Sequence, residues 1–140
     1  MIFPLILGVG SAKSGIGKTT FIENFIQFIK SINNQIFIVS VKYSKTSGLV
    51  DIITDPEIIE ESGKDTARMK KAGADYVYWI RASEQELAKV SQKLREEILS
   101  NFSEDDKNRM IVILEGNSLV RFMHADVIIF FKGNKGEQMK

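Results

Sequence analysis

The stretch Ile2-Phe3-Pro4-Leu5-Ile6-Leu7-Gly8-Val9-Gly10-Ser11-Ala12-Lys13-Ser14-Gly15-Ile16-Gly17-Lys18-Thr19-Thr20 decides the fold. Ile2 to Val9 is a continuous apolar run, the composition of a strand covered on both faces. Gly10 to Gly17 reads as a loop. From Lys18 onward Phe21, Ile22, Phe25, Ile26, Ile29 and Ile32 recur at helical spacing, and Asn33-Asn34 breaks the run. Between a strand and a helix, the backbone N–H groups of a glycine-rich turn converge on phosphate oxygens. The helix N-terminus adds a favourable partial charge.

In that setting Ala12, Lys13, Ser14, Gly15, Ile16, Gly17, Lys18, Thr19 and Thr20 are the candidate nucleotide-binding residues. Lys18 is assigned to the β- and γ-phosphates and the Thr19 hydroxyl to Mg²⁺. Ala12 stands where the strict pattern has Gly, and alanine adopts positive φ less freely. A dinucleotide-binding reading is weaker, because Gly8-Val9-Gly10 is followed by no third Gly in register.

Further along, Gln35 to Val41, Tyr76 to Ile80, Met110 to Leu114 and Asp126 to Phe131 read as four more strands. Lys64 to Ala72 reads as a short helix ending at Gly73. Ser83-Glu84-Gln85-Glu86 reads as a capping box opening a helix with Leu87, Val90, Leu94 and Ile98 on one stripe. Lys42 to Ser62 is polar, with a short helix around Glu57 to Glu61; a connection this long is usually functional or mobile. The alternation implies an α/β fold of the P-loop NTPase type, a mostly parallel sheet flanked by helices on both faces. Ligands on such sheets sit at the carboxyl ends of the strands. One domain over residues 1–140 is expected.

Composition narrows the function. Of 140 residues, 44% are hydrophobic and 26% charged, and the net charge is +1, so no strong field points to nucleic acid or an anionic membrane. Without cysteine there is no disulfide or thiolate metal site, which fits a cytoplasmic protein, and the single His124 cannot build a multi-histidine site. Met1 to Val9 lacks a basic n-region and is too short to span a bilayer. Tyr76, Tyr78 and Trp79 read as strand core and sheet surface, and His124 as a capping or packing residue.

A second constellation is Gly63-Lys64-Asp65-Thr66-Ala67-Arg68-Met69-Lys70-Lys71-Ala72-Gly73-Ala74, four basic residues and one acid in a turn and helix. A solvated charged helix accounts for most such runs. With the loop, however, this segment resembles the molybdopterin-guanine dinucleotide biosynthesis protein B (MobB) family. Those proteins pair a phosphate loop with a Val-Lys-His-like strand end, a Gly-Lys-Asp-x-x-Arg…Ala-Gly-Ala stretch and a strand ending in Glu-Gly. This chain has Val41-Lys42-Tyr43, then the segment above, then Leu114-Glu115-Gly116. It departs from the pattern at Tyr43 for His, at Glu60 or Glu61 for Asp, and in the continuation Glu115-Gly116-Asn117-Ser118.

The resemblance implies a GTP-binding accessory protein, often dimeric, in molybdenum (or tungsten) cofactor maturation. Its partner would be the molybdopterin guanylyltransferase-type enzyme. Lys42, Lys64, Asp65 and Arg68 are then candidate contacts to an anionic ligand or the partner. Glu115, ending an apolar strand, is a candidate for orienting an Mg²⁺-bound water or contacting the ion, or an ordinary strand-terminal acid. Asp65 equally pairs with Arg68 at i+3. Lys13 also matches the variant loop of the MinD/ParA-like ATPases, so an ATP-dependent dimerisation switch is a second hypothesis and a solvated lysine its alternative. A small-molecule kinase with Lys42 to Ser62 as acceptor site or lid is a third. Asn134-Lys135-Gly136-Glu137 looks like a guanine-reading motif with Glu for Asp, or a polar tail.

Overall fold

In the computed structural model, which describes residues 3–13 and 17–132, strands and helices alternate nearly throughout. They run β1 (Leu5–Ser11), α1 (Lys18–Ile32), β2 (Phe37–Lys45), β3 (Asp51–Ile53), α2 (Pro56–Ile59), α3 (Asp65–Ala72), β4 (Tyr76–Ala82), α4 (Glu84–Asn101), α5 (Glu104–Lys107), β5 (Met110–Glu115), α6 (Asn117–Met123) and β6 (Val127–Phe131). The sheet order is β3-β4-β2-β5-β1-β6. Every pairing is parallel except β3 with β4. The expected α/β architecture is therefore present, with one antiparallel edge strand.

Each central strand feeds two cores by strict alternation. Val39 and Val41 of β2 and Met110, Val112 and Leu114 of β5 face α4 and α6, where Leu87, Val90, Leu94, Ile98, Leu119 and Met123 close on them. The four α4 residues are the predicted stripe. Ile38 of β2 and Ile111 and Ile113 of β5 face the other way, onto Ile22 and Ile26 of α1, Ile59 of α2 and Met69 of α3. Burying a side chain of this size contributes about 1.5–3 kcal/mol, so both layers are held by apolar contact rather than by intrinsic helix propensity.

Several boundaries differ from the sequence reading. β2 runs four residues past Val41, because its ladder with β4 continues to Lys45↔Ala82. Residues 42–62 are not one loop: they hold the end of β2, β3 and α2, and Asp55 caps α2 by accepting from the Glu57 N–H. The expected capping box at Ser83 does not form. The Glu86 N–H donates to the Ser83 main-chain carbonyl at 3.1 Å, so the hydroxyl has no cap role. The Glu84 carboxylate instead accepts from Ser118 Oγ of α6 at 2.9 Å.

The two sheet edges differ. β3 is three residues long, and Asp51 pairs with Arg81 at 2.7 Å. β6 is apolar, with Val127, Ile128 and Phe130 exposed. No helix among the described residues is long and apolar enough to cross a membrane.

Candidate functional site

Strand parity builds the site. Lys42 is two residues beyond Ser40 on β2, and Glu115 two beyond Ile113 on β5, so both side chains share the α1/α3 face. They are direct neighbours in the parallel register, Lys42↔Glu115. Both lie at the carboxyl ends of their strands, where α1 begins. An open cleft of about 430 Å³ forms there, lined by Gly17, Lys18, Thr19, Thr20, Lys42, Asp65, Arg68 and Glu115.

Gly17 closes the phosphate loop from a left-handed conformation, φ 96°, which a side chain would strain, and its carbonyl accepts the Phe21 N–H at 2.9 Å. That geometry starts α1 at Lys18 and buries Thr19. Among the described residues His124, the αL cap of α6, is the only non-glycine with positive φ, so Ala12 makes no demand for glycine. Its N–H donates to the Phe131 carbonyl at 2.9 Å, tying the loop to β6. Lys13 is exposed. Ser14, Gly15 and Ile16, and the Asn134–Glu137 segment, lie outside the described residues.

The opposite wall is a chain of charges. Lys42 Nζ donates to Asp65 Oδ2 at 2.9 Å and to Glu115 Oε2 at 3.3 Å. The Glu115 side chain is only 4% exposed, and its second oxygen, Oε1, is buried with no hydrogen-bond partner. Burial pulls the Lys42 ammonium down, but the charges of Glu115 and Asp65 outweigh it and its pKa is raised. Lys42 therefore stays charged through the neutral range. Arg68 grips Glu23 of α1 through Nε to Oε2 at 2.9 Å and Nη2 to Oε1 at 2.6 Å, and donates to Thr20 Oγ1 at 3.1 Å. That hydrogen bond from Arg68 holds the Glu23 carboxyl below its usual 4.5. The expected Asp65–Arg68 pair is stretched to 3.9 Å, because Asp65 turns to Lys42 instead.

Lys64 does not line this cleft. As the residue capping α3 it pairs with Glu61 at 3.0 Å and lies 4.6 Å from the Trp79 ring centroid. It reaches a smaller neighbouring hollow of about 170 Å³ that shares Lys42 and Asp65 with the cleft. Tyr43, the departure from Lys-His, falls on the opposite face, packed against the α4/α6 core, with its hydroxyl donating to Ala82 O at 2.9 Å. Gly116, φ 131°, leaves a built Cβ only 3.2 Å from the Tyr43 Cβ, so the close turn after Glu115 requires glycine.

Sequence reading missed a clamp at the loop entrance. Asn117 of α6 accepts from Ser11 N–H at 2.8 Å and donates to Ser11 O at 2.6 Å, while Ser11 Oγ donates to Lys13 O at 2.7 Å. The signal in the sequence is the polar Asn117-Ser118 directly after Glu115-Gly116, where the chain departs from the family pattern.

The family model for molybdopterin guanine dinucleotide synthesis protein B (MobB) matches residues 6–137. The chain belongs to this family. Membership assigns it a role in the synthesis of molybdopterin guanine dinucleotide, along the guanylyltransferase pathway. The matched span holds the phosphate loop, the Lys42 strand end, α3 and the Glu115 strand end, so every MobB element of the cleft lies inside it. A search among curated proteins returns no match.

Proposed function

We propose that this MobB-family chain is one nucleotide-binding domain that takes GTP with Mg²⁺ and serves the molybdopterin guanylyltransferase-type enzyme as an accessory protein, working as a homodimer in the cytoplasm. The observation that carries the reading is the cleft. The start of α1, with Lys18, Thr19 and Thr20, stands across from Lys42, Asp65 and Glu115. Lys18 binds the β- and γ-phosphates, and residues 12–20 supply the cradle.

The residues fit a magnesium ion. Thr19 and Glu115 offer hard oxygen donors, and the buried Glu115 Oε1 lacks a hydrogen-bond partner, the condition of an oxygen waiting for a cation or its water. Among the described residues no three His, Cys, Asp or Glu side chains converge. That suits an ion completed by nucleotide phosphates and water rather than by a protein cage. When bound, the ion would neutralise charge on the phosphates. Glu115 would hold the ion or its water, and Lys18 the phosphate.

Intrinsic hydrolysis is slow on this reading. The cleft's arginine, Arg68, is engaged by Glu23 and Thr20, and positioned arginine charge is worth about 10³–10⁵ in rate at such sites.

Titration with fluorescent GTP and ATP analogues in Mg²⁺, beside Lys18→Ala, tests the proposal. GTP preference with loss of binding in the variant supports it. ATP preference with Lys13-dependent dimerisation favours the MinD/ParA-like switch, and transfer of phosphate to a small acceptor favours a kinase. No binding of either nucleotide overturns the assignment of the loop.

A further inference from the structure

The wall opposite the phosphate loop already contains a cation. Lys42 Nζ sits between two carboxylates, 2.9 Å from Asp65 and 3.3 Å from Glu115. The parallel register makes Lys42 and Glu115 neighbours, so their proximity is fixed by the sheet and not by side-chain chance. An ammonium at this place satisfies Glu115 Oε2 alone; Oε1 stays buried and without a hydrogen-bond partner, in a side chain that lines the cleft. Lys42 faces both acids, while the wall's other cation, Arg68, is engaged by Glu23 and stays 3.9 Å from Asp65. Removing the lysine leaves a buried carboxylate uncompensated beside a second acid, a state that is strongly unfavourable until a proton or another cation arrives.

We propose that Lys42 is a built-in counter-cation of the cleft: it neutralises Glu115 in the nucleotide-free protein and yields it to the divalent ion that enters with the nucleotide. This rests on the nucleotide-binding reading above and adds an order to it. Without phosphates, a divalent ion must displace the Lys42 ammonium with little in return. With phosphates present, the ion brings their negative charge as a second attraction, and Lys42 keeps Asp65 as its partner while Glu115 turns to the ion. Empty protein therefore binds divalent cations poorly, and the ion and nucleotide bind together. Lys42 acts here as a positioning residue, since it sets the charge of Glu115's surroundings.

The test uses the full chain, free of nucleotide, titrated with Mn²⁺ while the electron paramagnetic resonance signal of free Mn²⁺ is followed. Wild type is expected to leave the ion free. Lys42→Met is expected to take up one equivalent at least about tenfold more tightly than wild type, tenfold being the effect of a single modest charge interaction. Lys42→Arg, which keeps the charge, is expected to match wild type, and Lys42→Met with Glu115→Gln to lose the gain. Unchanged Mn²⁺ affinity in Lys42→Met, or a gain that survives Glu115→Gln, overturns the proposal.

If Lys42→Met does not fold, Lys42→Gln takes its place in the same Mn²⁺ titration with the same gain expected, and Glu115→Gln supplies a second measurement. Wild-type affinity for the GTP analogue is expected to rise with Mn²⁺, and Glu115→Gln to lose most of that rise; a rise of full size in Glu115→Gln overturns the proposal. Failure of wild type to bind any nucleotide would instead count against the nucleotide-binding reading, while the nucleotide-free Mn²⁺ titration still decides the role of Lys42.

Discussion

The two faces of the sheet are made by the same strands and end differently. On the α4/α6 face, β2 and β5 supply buried apolar residues: Val39 and Val41, then Met110, Val112 and Leu114. On the α1/α3 face the same strands start from Ile38 and Ile111 and reach Lys42 and Glu115 at the cleft. The first face is closed by two helices along its length. The second is closed only over its first half, and the phosphate loop and α3 leave a charged cleft over the rest. The difference teaches that adjacent residues of one strand carry separate duties. Leu114 packs into the core and Glu115 lines the cleft, though they are covalent neighbours. The close turn at Gly116 serves both, since it lies against Tyr43 on the apolar side and directly follows Glu115.

The comparison breaks most visibly on the closed face. Leu94→Ala, at a fully buried position of α4, is expected to lower unfolding stability by about 2–5 kcal/mol in denaturant titration. Its affinity for a nucleotide analogue should not change at temperatures where it stays folded. A parallel loss of affinity would show that the faces are coupled.

The converse change is expected to do little to stability. Glu115→Met removes a buried carboxylate whose Oε1 has no partner and leaves Lys42 its ion pair with Asp65, so no buried charge is orphaned. Unfolding free energy should stay within about 1 kcal/mol of wild type, while the dependence of nucleotide affinity on divalent ion disappears. A loss well beyond that range would make Glu115 a structural residue.

The smallest effect concerns the Arg68–Glu23 bridge between α3 and α1. Because the bond to Arg68 depresses the Glu23 pKa, the stability it gives is present in full above the ordinary value of 4.5 and is lost as pH falls through the depressed one. The pair is partly exposed, so the contribution is about 0.2–1 kcal/mol. Thermal melts of wild type and Glu23→Gln are expected to differ slightly at pH 6 and to converge on acidification. A gap that widens at low pH would reverse the sign of the linkage.

Legibility followed the length of the signal. β1, α1, β4, α4 and β5 could be read because each has several turns of helical period or a bounded apolar run. β3, α5 and α6, of three, four and seven residues, repeat too few apolar positions for a period to stand out. In the site, Lys18 and Thr19 were legible as part of a contiguous motif. Glu115 was legible as a charge ending an apolar strand. The contact of Lys42 with Asp65 spans 23 positions and the clamp of Asn117 on Ser11 spans 106, distances set by crossovers and not by pattern. Lys64 is expected beside Arg68 as a contact to an anionic ligand or the partner, but it caps α3, pairs with Glu61 and lies against the Trp79 ring. The Ser83 box failed because a main-chain carbonyl took the donor that the hydroxyl was expected to satisfy.

The pairing of Lys42 with Glu115 also bears on which genetic changes the chain can absorb. Both side chains owe their face to an odd–even count along the strand, and a one-residue slip sends every side chain to the other side. A codon deleted within residues 38–41 or 111–114 would carry the charges into the α4/α6 core and bring Val and Leu into the cleft, so no single compensating substitution repairs it. The turn between β2 and β3 is exposed and keeps no such count; added or missing codons there leave the parity of both strands intact. Across a library of single-codon insertions and deletions, tolerance should track strand parity rather than distance from the phosphate loop.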